Sequence, residues 1–130
     1  MLEFLFVLGA AVAGPILLTL ALRERVPEIW WIAALLGAGF IAFSLVPIVR
    51  EGYFGFVPNH TQDLWGTQVW YDLIICEIIA LVFVVPRARK AGMLVPAWVV
   101  AVACTASIAL LPMVARLFWL ERAHARDATD

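Results

Sequence analysis

Long runs of apolar residues alternate with short polar breaks along the whole chain. The first apolar run covers about 4–22 and stops at Arg23-Glu24-Arg25. The second covers about 29–49 and stops at Arg50-Glu51. The third covers about 65–85 and stops at Pro86-Arg87, and the fourth covers about 93–118 and stops before Glu121-Arg122. Each approaches or exceeds the roughly 20 apolar residues that a helix needs to cross a bilayer. Inside hydrocarbon every backbone N–H and C=O must find its partner within the segment, so these runs predict helices. No period-two alternation supports a barrel. The expected fold is all-α: a polytopic membrane protein, one domain over 1–130, built as a four-transmembrane-helix bundle. An interfacial loop at 50–64 and a polar tail at 121–130, frayed from His124 onward, complete it.

Composition sharpens this picture. Of the 130 residues, 65% are hydrophobic and 15% charged, with a mean hydropathy of +0.97. A water-soluble fold of this size could not hide so much apolar surface. The net charge of -1 gives no reason to expect nucleic acid as a partner. The expected surroundings are membrane lipids, other membrane protein subunits or a second copy of the chain. Cys76 and Cys104 lie in apolar runs and read as small packing residues. The first run lacks a basic leader and a small-residue cleavage site, which predicts a retained helix.

Orientation follows from the basic residues between the runs. If all four cross, the first and third connections share a side and carry Arg23, Arg25, Arg87, Arg89 and Lys90. The opposite side carries Arg50, Arg116, Arg122 and Arg126. The crowding of Arg87, Arg89 and Lys90 in one short turn places that turn in the cytoplasm, with both termini outside. A bacterial inner membrane is the expected location. Around the second connection, Tyr53, Phe54, Phe56, Trp65, Trp70 and Tyr71 predict an aromatic belt at the membrane surface.

Helix association in lipid needs close backbone approach, because lipid tails are as apolar as leucine. The second run offers Ala34, Ala38 and Ala42 at a spacing of four, beside Ala33 and Gly37. The fourth offers Ala101, Thr105 and Ala109. Pro15 and Pro112 are predicted to kink their helices.

Candidate chemistry is confined to a few polar groups. Asp72 and Glu77 fall inside the third run, where an ionisable residue is costly and therefore a candidate for function. Five residues apart, they point about 140° away from each other, so they cannot act as a carboxylate pair. Gln68, Asp72 and Cys76 share one stripe; Trp70, Leu73 and Glu77 share another. Arg116 is expected level with Asp72 and predicted to pair with it. Glu77 is expected to bond Ser44, Thr105 or Ser107. Trp65, Gln68 and Trp70 join these as candidate binding or structural positions. His60, Asp63 and Glu51 are too few and too scattered to predict a metal site.

The third and fourth runs carry W-G-T-Q-V-W-Y-D-L from Trp65 to Leu73 and P-R-A-R-K-A-G-M from Pro86 to Met93. This text resembles small, uncharacterised bacterial four-helix integral membrane proteins with a W-x-x-Q-x-W-x-D-L motif. It is more weakly similar to the plant membrane family required for neoxanthin formation. That resemblance implies Trp65, Asp72 and Arg87 or Arg89 as the positions of interest, and a carotenoid as ligand.

Three functions fit the sequence. The preferred one is a non-catalytic accessory or scaffold subunit of a larger membrane complex, with a lipid, quinone or carotenoid as candidate bound group. The second is a small isoprenoid- or carotenoid-modifying enzyme using Asp72 or Glu77 for proton transfer. The third is a small proton-coupled transporter with Glu77 as its coupling carboxylate.

Overall fold

The computed structural model of the chain describes residues 2–22 and 30–127. Arg23 and Arg25 of the first connection, and the last three residues of the tail, lie outside it. Every regular element among the described residues is helical. In chain order these are α1 (Leu2–Leu22), α2 (Trp30–Glu51), a 3-10 turn (Tyr53–Gly55), α3 (Phe56–Thr61), α4 (Leu64–Lys90), α5 (Val95–Thr105) and α6 (Ser107–Asp127). The packed pairs are α2 with α6, α5 with α6, α3 with α4, and α4 with both α5 and α6. The α1 side chains that the structure describes are all exposed.

Among the described residues, two helices are long and apolar enough to cross a membrane, where the sequence pattern predicts four. They are α2, of 22 residues, and α4, of 27. The predicted fourth segment is not one helix. It breaks at Ala106, where φ is 53° and ψ is -129°. A positive φ beside that ψ matches the first central position of a type II′ turn, a conformation that favours glycine. The Ala106 N–H still closes α5 on the Val102 carbonyl at 2.7 Å. Its own carbonyl accepts from Ala109 and Leu110 and opens α6.

The break is a reversal. The stretch from Val95 to Glu121, run as one helix, would span about 39 Å at ~1.5 Å per residue. Yet Arg87, at the end of α4 and just before α5, reaches Glu121 on α6. Arg87 Nε donates to Glu121 Oε1 at 3.0 Å, and its Nη2 donates to Oε2 at 2.7 Å. The α6 helix must therefore fold back along α5. It also runs antiparallel to α2: Trp30 lies by Arg126, and Gly37 by Leu111 and Pro112. Tyr53, beyond the far end of α2, donates its hydroxyl to the Cys104 carbonyl at 2.8 Å, next to the reversal.

One end of the molecule thus collects the start of α2, the end of α4 and the end of α6. The opposite end holds residues 51–63. The loop expected at 50–64 is mostly helical, and the tail expected to fray continues α6 to Asp127. Pro112, a predicted kink site, lies inside α6, six residues past the reversal.

The core sits in the α5–α6 hairpin against the end of α4. Ala88, Val102, Met113 and Leu117 are fully buried, with Ala91, Met93, Val95 and Ala109 around them. The turn between α4 and α5 explains the second motif. Gly92, at φ 74°, stands in the left-handed conformation. Its N–H bonds the Arg89 carbonyl at 3.1 Å, and the Met93 N–H bonds the Ala88 carbonyl at 2.9 Å. That is a Schellman cap, and only glycine adopts its C′ conformation without strain. The small-residue stripe is also shifted. On α2 the buried positions are Ala33 and Gly37, with Ala34 half-buried, while Ala38 and Ala42 are exposed.

Candidate functional site

Two places concentrate side chains with chemistry. The first is the corner between α3 and α4. Asp63 starts α4 with an extended backbone, and its Oδ1 accepts from the Gly66 N–H at 2.7 Å. A short acid at this position satisfies a donor that the helix cannot satisfy itself. The Thr67 hydroxyl bonds the His60 carbonyl at 3.1 Å and the Asp63 carbonyl at 3.0 Å. Gly66 is required for a steric reason: a Cβ there would stand 2.5 Å from the Asn59 carbonyl oxygen. The W-G-T start of the first motif is thus the wiring of a tight corner.

Trp70 closes the corner. Its ring stacks on Phe56 at 5.6 Å between centroids, and His60 meets it edge-on at 5.4 Å. His60 Nδ1 lies 2.7 Å from the Phe56 carbonyl, which can only accept, so the proton is on Nδ1. Trp65 stands outside this cluster, 78% exposed. Gln68 is exposed as well.

Asp72 and Arg116 are not brought together. Both are exposed, and neither has a hydrogen-bond or ion-pair partner among the described residues. The reversal is the reason. The α6 helix meets α4 at the end holding Arg87, whereas Asp72 lies in the other half of α4. Arg87 takes the ion pair instead, with its guanidinium also 5.4 Å from the Phe118 ring centre. Glu77 is half-buried, and its Oε1 is shielded without a hydrogen-bond partner. Of its expected partners, Thr105 donates to the Ala101 carbonyl at 2.7 Å, within its own helix.

The second place was not legible as a site in the sequence. Between α2 and α6, at the end that also holds Arg87 to Lys90, lie two adjoining hollows. One, of about 270 Å³, is lined by Trp30, Trp119, Arg122, Ala123 and Arg126. The other, of about 330 Å³, is lined by Trp30, Ala34, Ala115, Arg116 and Trp119. The spacing of Arg116, Trp119, Ala123 and Arg126 puts them on one helical face. That signal shows only when the tail is read as helix.

Among the described residues, no three His, Cys, Asp or Glu side chains are grouped so as to hold a metal ion. The polar groups of the corner are consumed by capping, and Asp72 and Glu77 have no acid–base partner there. Cations and aromatic faces between α2 and α6 equip that groove to hold an anion. No protein-family model, no curated protein and no solved structure matches the chain.

Proposed function

We propose that the chain is a membrane-embedded, non-catalytic accessory or scaffold subunit that docks another membrane protein along α4. One observation carries this reading. In the most apolar 18-residue stretch of α4 no residue is buried by the rest of the chain. Yet that helix holds Glu77, with a shielded carboxyl oxygen that nothing here satisfies. Bare aliphatic surface costs nothing in lipid, but an unsatisfied polar group in hydrocarbon does. A donor on a neighbouring helix is the economical resolution, met by the Glu77 carboxyl as its side chain turns outward.

The test is photocrosslinking in native membrane, with the reactive group at Ile78, beside Glu77. The expected product is one discrete adduct to another polypeptide, lost in Glu77→Leu. Crosslinks to lipid alone would sink the scaffold reading.

Orientation on this reading is stronger than the linear sequence suggests. With α6 returning, the end of the molecule at Arg87, Arg89 and Lys90 also gathers Arg122 and Arg126. The opposite end retains Arg50. The positive-inside tendency then places the basic end in the cytoplasm. With Cys76 and Cys104 replaced by alanine, a cysteine at Asn59 should react with an impermeant maleimide from the outside. Cysteines at Lys90 and Ala125 should both stay protected until the cytoplasm is opened. Outside labelling at Ala125 would mean that α6 does not turn back.

A further inference from the structure

The groove between α2 and α6 changes character along its length. Toward the helix ends it is walled by Arg122 and Arg126; deeper, its floor is Ala34 and Ala115, with Arg116 on the flank. Trp30 and Trp119 line both parts and so join them into one channel. Glu121 on α6 is engaged by Arg87 and is not part of the groove lining. Arg122 and Arg116 have no carboxylate partner among the described residues.

We infer that this groove binds an anionic phospholipid, its phosphate at Arg122 and one acyl chain over Ala34 and Ala115. Four features point to that occupant. Guanidinium groups match phosphate oxygens bidentately. Tryptophans favour the level of the headgroups, where a ring is half wet. The floor is apolar, which suits a chain of methylenes better than a sugar or a nucleotide. The groove also opens at the basic end, and the cytoplasmic leaflet that such an end faces carries the anionic lipids. This inference rests on the membrane reading above, but it needs no protein partner.

The experiment is native mass spectrometry of the full chain from mild detergent, after exposure to equal phosphatidylglycerol and phosphatidylcholine. Wild type should retain roughly fivefold more phosphatidylglycerol, the scale expected for one arginine at an anionic headgroup. Arg122→Gln should bring the two lipids to parity, with an unchanged melting temperature. Arg89→Gln, an exposed cation outside the groove, should leave the preference intact. Equal retention by wild type overturns the inference, as does a preference that Arg89→Gln abolishes and Arg122→Gln does not. Displacement of the lipid by inorganic phosphate would show a free-anion site and overturn it too. A chain that fails to float with vesicles of either lipid refutes the membrane reading itself. A chain that floats but shows no preference refutes the groove alone.

Discussion

Helix α4 up to Phe83 and the α5–α6 hairpin are both written largely in aliphatic residues, yet only the hairpin is packed. From Leu64 to Phe83 no residue is buried. In the hairpin Val95, Val102, Ala109, Met113, Ala115 and Leu117 all are. The difference lies in size. The exposed stretch is dominated by Trp, Tyr, Ile, Leu and Phe; of its few small residues, Gly66 and Thr67 serve the corner with α3, which leaves Cys76 and Ala80. The hairpin and its α2 neighbour bring Ala33, Gly37, Ala101, Ala109 and Ala115 to their contacts. In water, hydrophobicity would drive both regions inward. In lipid that drive is absent, and small residues decide which backbones approach closely enough for dispersion to hold them.

The strongest way to break this contrast is to truncate one large side chain in each region. Leu117→Ala should cost about 2–5 kcal/mol, since Leu117 is fully buried and its loss leaves a cavity. Ile75→Ala, on the bare face of α4, should change stability by less than about 0.5 kcal/mol. Unfolding of both variants in one detergent, titrated with sodium dodecyl sulfate, reads the difference. Equal losses would mean that α4 is covered after all.

A glycine pair sharpens the size argument. A Cβ on Gly37 would stand 3.3 Å from Leu111 Cβ and 3.4 Å from Pro112 Cδ, whereas Gly39 has nothing within 4 Å. Gly37→Leu should therefore wedge α2 from α6 at a cost of about 1–3 kcal/mol, with Gly39→Leu close to neutral. Disulfide trapping of a cysteine pair at Ala34 and Ala115 would follow the separation directly.

Backbone conformation gives the next effect. Gly92→Ala should lose about 1–2 kcal/mol, because its positive φ crowds any Cβ. Ala106→Gly should raise the melting temperature, since it removes the same penalty at the reversal. A lower melting temperature in Ala106→Gly would contradict the reversal's geometry.

The smallest effect belongs to the ion pair that joins α4 to α6. Arg87 and Glu121 are 42% and 27% exposed, so their coupling in a double-mutant cycle should be at most about 1 kcal/mol. It should shrink as salt rises. Asp72→Asn and Arg116→Gln, by contrast, should be additive within about 0.5 kcal/mol, as expected of groups that do not touch.

Hydropathy alone revealed the all-α class and where α1, α2 and α4 lie, because the period and length of apolar runs are local properties. The reversal at Ala106 was not legible. Neither glycine nor proline marks it, and Ala103 to Ile108 read as ordinary helix; the turn is selected by tertiary packing, of α6 on α2 and of Met113 and Leu117 against Val102 and Ala88. The helicity of His124 to Asp127 was hidden for the same reason, since its polar residues gain their order by extending a helix already docked on α2. Pro112 carried a plausible break signal, but its ring serves instead as the surface that Gly37 fits. The motif from Trp65 to Leu73 was visible as text. Its physical content, an Asp63 cap and a corner too tight for any residue but glycine at 66, required the coordinates.

On the membrane reading proposed above, the course of the chain after Lys90 bears on how it would enter a bilayer during synthesis. Charges at Glu121, Arg122, Arg126 and Asp127 would have to be carried through hydrocarbon if α5 and α6 formed one crossing. Turned back at Ala106, they finish on the face from which α5 departed. The hairpin can then slide in from one side after α4 is anchored, with apolar surface leading. No translocation channel has to conduct its polar end, and a protein fused after Asp130 would stay in the compartment where it was made.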